Sequence, residues 1–261
     1  MPNNTVNGLW IGSRLSNIER LCIQSYIDNG YTFILWVYDK IETKLPVKTV
    51  VKDANEIIPK KEVFSYAKKN TFGHGQGSYA GFSDIFRYKL LYKKGGWWTD
   101  MDIVCLGKLP ETKYFFRNHH TLKLVGNLMK CPKQSLLMKN CFLKAKTDIT
   151  KDNTDWHKPI EILINEVFEL KLGCFIQKNK GNLDYWDETI KYVQKRKKIP
   201  KNWIYLHLQN EEWRNRNIDK NKIRIKSTLG KIMMKHKIIK TQYSTFEIIK
   251  NELSQFTFLF K

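Results

Sequence analysis

An α/β fold is predicted for this 261-residue chain by three features: an apolar strand that leads into a capped helix, a continuous apolar run, and a helix that stops at a double glycine before another strand. Residues 6–12 read as a buried strand closed by Gly12. Ser16, with Glu19 three positions on, forms a capping box for a helix whose apolar positions are Ile18, Leu21, Cys22 and Tyr26. The run 33–38 is apolar throughout, as a parallel strand covered on both faces should be, and 47–52 is a candidate third strand. Ligands bind at the carboxyl ends of such strands, so Trp10, Gly12, Tyr38 and Asp39 are candidates to line a site. For Trp10 a place in the core is the competing reading.

The most informative stretch spans residues 82–106. Phe82, Phe86 and Leu90 recur every four residues along one side of a helix, while Asp84 and Arg87 fall on the opposite side, one turn apart. Lys93 and Lys94 fill the last turn and Gly95-Gly96 ends the helix. A strand begins at Trp97 and resumes at Ile103, interrupted by Thr99-Asp100-Met101-Asp102. Alternation turns Asp100 and Asp102 to the same side. Two carboxylates that converge are costly unless a cation lies between them, and a hard divalent ion, Mg²⁺ or Mn²⁺, is the common solution. A bare D-x-D triplet is usually a solvated turn. Here it is accompanied by the Asp84/Arg87 helix, the double glycine and the pair Trp97-Trp98.

That combination resembles the D-x-D segment of retaining glycosyltransferases with the GT-A fold, most closely the family 32 group and the related capsular-polysaccharide and glucosylating-toxin enzymes. The resemblance implies a Rossmann-like, mostly parallel central sheet flanked by helices. It also implies that Asp84 and Arg87 bind donor-sugar hydroxyls, that Asp100 contacts ribose or metal, and that Asp102 ligates Mn²⁺ or Mg²⁺. Trp98 stands where the family often has Tyr, keeping a flat wall and losing a hydroxyl. Trp10 corresponds to the strand end that holds uridine. The segment 204–214 resembles the family's C-terminal element, making His207 and Asn210 metal or phosphate ligands and Trp213 a closing lid; Glu212 replaces a family Ser. Read without the resemblance, His207 is one of two polar residues that a strand delivers to one side, and a structural role is the competing reading. His157-Lys158-Pro159 takes the place of a family Thr-Gly-Pro, with Trp156 and His157 candidates to line an acceptor cleft.

Composition bounds the rest. An apolar fraction of 42% suffices for one sizeable core, and five cysteines without a C-x-x-C pair imply neither zinc nor a disulfide framework. The start lacks a signal-like segment and no apolar run is long enough to span a bilayer; since eukaryotic members of the resembled family usually begin with an anchor helix, the resemblance implies a cytoplasmic enzyme of bacterial or viral type. The net charge is +21, and residues 191–240 hold sixteen Lys or Arg against three Asp or Glu. Peripheral contact with an anionic membrane, binding of nucleic acid, and a merely solvated basic face all fit, nucleic acid least because no reading motif accompanies the charge. Four glycines in residues 73–81 suggest either a mobile loop or backbone N–H groups able to approach a diphosphate. Pro132 and Pro159 open two scaffold helices, and 229–239 suggests one face of a basic amphipathic helix.

The expected organisation is a GT-A-like domain over 1–214 and a basic, helical C-terminal extension over 215–261 packed on it. The expected function is metal-dependent, retaining transfer of a hexose or N-acetylhexosamine from a UDP-sugar to a hydroxyl of a glycan or lipid-linked glycan. Two alternatives stand beside it. One is a haloacid-type phosphohydrolase, disfavoured because the double glycine precedes the acids and Ile103-Val104 follows. The other is a non-catalytic basic module on the same fold that binds glycan or nucleic acid.

Overall fold

The structure, a computed structural model, describes residues 4–70, 73–153, 155 and 157–239. Phe72, Trp156 and the tail beyond residue 239 therefore lie outside the described residues. The chain opens with β1 (Thr5–Trp10), α1 (Asn17–Asp28), β2 (Thr32–Val37) and β3 (Val50–Asp53), then α2 (Ala80–Lys94) and β4 (Gly96–Thr99). It continues through β5 (Ile103–Cys105), β6 (Phe115–His119), β7 (Lys123–Cys131), α3 (Leu136–Asp148), α4 (Lys158–Glu169) and β8 (Ile176–Gln177). The last elements are α5 (Trp186–Gln194), β9 (Tyr205–His207), α6 (Asn210–Asn215) and α7 (Thr228–Lys235).

Seven strands form one sheet in the order β3-β2-β1-β4-β7-β6-β8. The first four are mutually parallel, β7 runs against both β4 and β6, and β8 is parallel to β6. The expected α/β class and mostly parallel central sheet are thus the ones observed. From β1 the chain moves outward to β2 and β3, then returns to place β4 on the other side of β1. The strand order reverses between β1 and β4, and a crevice forms at the carboxyl ends of strands flanking such a reversal.

The helix expected over the Asp84 region forms as α2. Phe82, Phe86 and Leu90 are fully buried in the main core, each stabilising by about 1.5–3 kcal/mol. Gly95 ends the helix at φ 67°, where a Cβ would also meet the Lys133 backbone N at 2.5 Å, so both conformation and space require glycine. Ser16 and Glu19 make the expected capping box at α1. All five cysteines are free, four of them buried.

The described part of the C-terminal segment shares a hydrophobic cluster with the N-terminal half. Ile223, Leu229 and Met233 pack with Ile18 and Leu21 of α1, Val104 of β5 and Leu206 of β9. The apolar face of α7 is therefore covered by the protein itself. Within 191–239, Lys191, Lys197, Arg214, Arg216 and Lys220 all make ion pairs with glutamates, which offsets part of the basic excess. Among the described residues, no helix is long and apolar enough to cross a membrane.

Candidate active site

The D-x-D residues lie in the turn between two sheets. β4 belongs to the large sheet, whereas β5 leaves it to pair antiparallel with β9. The turn is tied to both sides: Asp100 N–H donates to Asn127 O (2.7 Å), and Leu208 N–H donates to Asp102 O (2.9 Å). Asp100 and Asp102 come from this turn rather than from strand alternation, and their carboxylates serve different partners.

Asp100 belongs to the α2 side. Its Oδ1 accepts from Arg87 Nη2 (2.9 Å) and from the indole N–H of Trp98 (2.7 Å), while Arg87 Nη1 reaches Asp84 Oδ1 (2.7 Å). Asp84 and Arg87, expected to face away from the core, lie together at the cleft wall, Arg87 buried and Asp84 largely so. Burial pushes Asp84 up to about 6 despite Arg87, and the Asp100 charge adds to the rise. The guanidinium lies over the Trp98 ring, 5.2 Å from its centroid. A Cβ on Gly126 of β7 would stand 2.5 Å from Arg87 Nη1, so glycine there makes room for the guanidinium.

Asp102 belongs to the β9 side. Its Oδ2 accepts from Asn210 N–H (2.6 Å) and lies 3.4 Å from His207 Nε2. Its Oδ1 is buried and has no hydrogen-bond partner among the described residues. His207 Nδ1 is 2.6 Å from Asp184 Oδ1, an atom that also accepts from Arg117 Nη2 (2.5 Å). Burial acts to lower the His207 value, but Asp102 and Asp184 prevail and raise it to about 9. Burial would raise both acids; His207 holds Asp102 below the ordinary carboxylate range, and Arg117 with His207 holds Asp184 far below it.

A cleft of about 1030 Å³ joins these groups, lined by Trp10 from β1, Asp84 and Arg87 from α2, the D-x-D turn, and His207 and Asn210 near β9. The glycine-rich segment forms part of its wall through His74, Gly77 and Ser78, and is latched to α6 by Gly75 N–H to Glu211 Oε1 (3.1 Å) and Arg214 Nη1 to Gln76 O (2.8 Å). Lys220, from the C-terminal segment, enters the cleft with its Nζ paired to the fully buried Glu19 (2.5 Å) and set 5.7 Å from the Trp10 ring centroid. His157 reaches the wall as well.

Several expected positions lie elsewhere. Tyr38 packs against Phe82 and Phe86 and donates to Ile58 O (2.8 Å), outside the cleft lining, because its hydroxyl satisfies a backbone carbonyl beneath the sheet edge. Gly12 turns the chain at φ 120° without lining the cleft. Asp39 pairs with Lys60 at the surface. Trp213 is no lid: it is fully buried against Trp186, with its indole N–H on Leu208 O (2.7 Å). Trp98 supplies an indole N–H to Asp100 in addition to a flat wall, and is itself buried.

Arg117, Asp184, Lys220 and Gly126 were not expected. Arg117 sits in a strand as a single buried cation, Asp184 in an unremarked loop, and Lys220 among many lysines, so no local pattern marks them. His119, His120 and Asp184 place three possible ligand atoms within 4.8 Å of one another. Asp184 and His119 there are already engaged. His119 Nδ1 accepts from Thr121 and Leu122 N–H, so its Nε2 carries the proton and lies 3.3 Å from Asp184 Oδ2. Asp102 is the better fit to a hard cation, since an ionised, buried carboxylate oxygen without a donor is the ligand such an ion takes.

Residues 13–119 match the family described as a glycosyltransferase sugar-binding region containing a DXD motif. Asp84, Arg87, Asp100 and Asp102 fall inside the match; Asp184, His207 and Lys220 fall beyond it. The segment that resembles a DXD-type sugar-binding region thus lies on a mixed, mostly parallel α/β sheet. No curated protein matches the chain. A solved structure described as "PaToxG Glycosyltransferase" is similar at a TM-score of 0.46 and 13% identity, covering 65% of this chain and 69% of that one. Another, described as a transferase carrying two substitutions of its own, is similar at a TM-score of 0.40 and 10% identity, covering 68% of this chain and 92% of that one.

Proposed function

We propose that the protein is a metal-dependent, retaining glycosyltransferase of the family 32 type, moving a hexose or N-acetylhexosamine from a UDP-sugar to a glycan hydroxyl. The observation that carries this reading is the meeting, in one cleft at the strand-order reversal, of a D-x-D turn whose buried Asp102 Oδ1 has no partner among the described residues with an acid–arginine pair on α2. Trp10 offers its ring to the uracil, and Lys220 beside it offers an ammonium to the diphosphate. Asp84 and Arg87 orient the sugar hydroxyls. Asp102, with Asp100 and His207 beside it, would hold Mn²⁺ or Mg²⁺. Bound there, the ion supplies charge stabilisation to the departing diphosphate.

In the transfer, the bond between the anomeric carbon and the UDP oxygen breaks and the acceptor oxygen bonds to that carbon on the same face. The acceptor proton passes to a phosphate oxygen of the leaving UDP, so no protein base is required. Arg87 cannot be that base, since it stays protonated, and Asp84 is committed to Arg87.

Thermal stabilisation by UDP, UDP-sugars and GDP-mannose, each with Mn²⁺ or EDTA, tests the assignment. One UDP-sugar should stabilise the protein only with metal, and Asp102→Ala should abolish the effect. An absence of any nucleotide shift would overturn it and favour the non-catalytic basic module. The anomeric configuration of the product, read by NMR coupling, separates retention from inversion.

A further inference from the structure

We propose that Asp184 is a positioning residue for the metal and diphosphate site, acting through His207, and that the segment Asn182-Leu183-Asp184 is the clamp that holds that histidine in one ring orientation. This inference rests on the metal-dependent reading above and assigns a role to a loop remote in sequence from the D-x-D turn.

The clamp grips both the backbone and the ring. One edge of β9 is paired with β5, where His207 lies opposite Ile103. On the other edge the Asn182 side chain takes the place of a neighbouring strand: its Oδ1 accepts from His207 N–H (2.7 Å) and its Nδ2 donates to His207 O (2.9 Å). Asn182 is itself buried and donates to Thr189 Oγ1 of α5 (3.0 Å), so it cannot swing away cheaply. Two residues later Asp184 Oδ1 meets His207 Nδ1 at 2.6 Å.

Asp184 is held as firmly as it holds. Arg117, 1% exposed, donates to the same oxygen and to Asn127 Oδ1 (3.1 Å), and lies 5.0 Å from the Tyr205 ring centroid. His119 Nε2 lies 3.3 Å from the other carboxylate oxygen. Paired with the Arg117 guanidinium, Asp184 is an ionised carboxylate and an acceptor only, so Nδ1 of His207 must carry a proton and Nε2 is the atom presented to Asp102. A histidine that serves a cation through one nitrogen is ordinarily fixed by such a carboxylate at the other, and loss of the outer partner costs about 10–100-fold in metal affinity. Without Asp184 the ring can flip or change tautomer, and Nε2 loses its aim.

The test is a double-mutant cycle on Mn²⁺ affinity in the presence of UDP, measured from the EPR signal of free Mn²⁺, with wild type, Asp184→Asn, His207→Ala and the double variant. Asp184→Asn should weaken Mn²⁺ binding by about 10–100-fold, and should add nothing in the His207→Ala background. In ¹⁵N spectra the wild-type His207 ring should show a protonated Nδ1, and Asp184→Asn should change that signature. Should Asp184→Asn not fold, Asp184→Glu, which keeps the charge and displaces the oxygens, carries the same cycle. Wild-type affinity in Asp184→Asn, or an equal loss in both backgrounds, would overturn the role of Asp184 alone. A wild type that binds no Mn²⁺ would overturn it together with the metal-dependent reading, and is recognised because wild type and His207→Ala are then alike.

Discussion

The two acids of the D-x-D turn each anchor an acid–base–acid triad, Asp84–Arg87–Asp100 on one side and Asp102–His207–Asp184 on the other, and the triads differ in how their charge is balanced. In the first, one buried guanidinium serves two carboxylates, Asp84 largely buried and Asp100 partly exposed, so an acid is left under-compensated and burial pushes Asp84 up to about 6. In the second, Arg117 joins His207, two cations face two acids, and both acids are held down while His207 rises to about 9. The α2 triad therefore keeps a permanent central charge, and its acid is the group that titrates near neutrality. The β9 triad has a titratable centre and committed acids. On the proposed reading, the pair that orients the sugar keeps a cation that never changes state, whereas the histidine beside the proposed metal site can give up its proton.

The contrast breaks most visibly at Arg87. Replacing it with alanine leaves Asp84, largely buried, and Asp100, about a third exposed, without their cation, and after discounting for the solvent screening of Asp100, Arg87→Ala should lose about 2–3 kcal/mol of stability in urea unfolding at neutral pH. A loss under about 1 kcal/mol, the range of exposed pairs, would mean that the triad is solvated.

The titratable centre gives the next effect. The folded value for His207 lies above its unfolded value near 6.5, so its contribution is complete below about pH 6.5 and disappears as pH rises through about 9. Measured in EDTA, stability should fall across that window by at most about 3 kcal/mol, and His207→Gln should flatten the slope. The partner acids, held below their ordinary values, contribute above about pH 4 and lose that contribution on acidification.

Lys220 sharpens the comparison, because it brings a further cation to the Asp102 side from the C-terminal segment. A charge-assisted contact of about 1.5–3 kcal/mol predicts roughly ten- to a hundredfold weaker UDP binding in Lys220→Met by calorimetry. Uridine affinity should be unchanged, since uridine lacks the diphosphate. The smallest effect belongs to Trp213→Phe. It removes the hydrogen bond to Leu208 O and should cost about 1 kcal/mol of stability, with UDP affinity unaltered because the side chain does not line the cleft.

The α2 triad was legible because its members lie on one helix and just past the end of the strand that follows it: helical spacing alone places Asp84 beside Arg87, and the double glycine turns the chain into β4, which ends just before Asp100. His207 was marked by its strand position beside Gln209, and the resemblance raised its functional reading over a structural one. Asp184 and Arg117 were not reachable at all, since their significance is a shared position 2.5 Å apart, reached from separate segments of the chain. Tyr38 and Trp213 were misplaced for one reason. An aromatic ring near a strand end or helix start can turn to the cleft or to the core, and only the neighbouring carbonyls, Ile58 O and Leu208 O, decide which.

What the sequence by itself determined is local: the strands and helices set by hydrophobic period, the capped start of α1, the glycine stop of α2, and the grouping of Asp84, Arg87, Asp100 and Asp102. What the tertiary structure decided is charge balance and direction. It sent Asp100 toward arginine and Asp102 toward histidine, brought Lys220 back across the chain to Glu19, and closed the Asp184 clamp on His207. Electrostatic partners are chosen by distance through space and by burial, and neither is encoded in the spacing of residues along the chain.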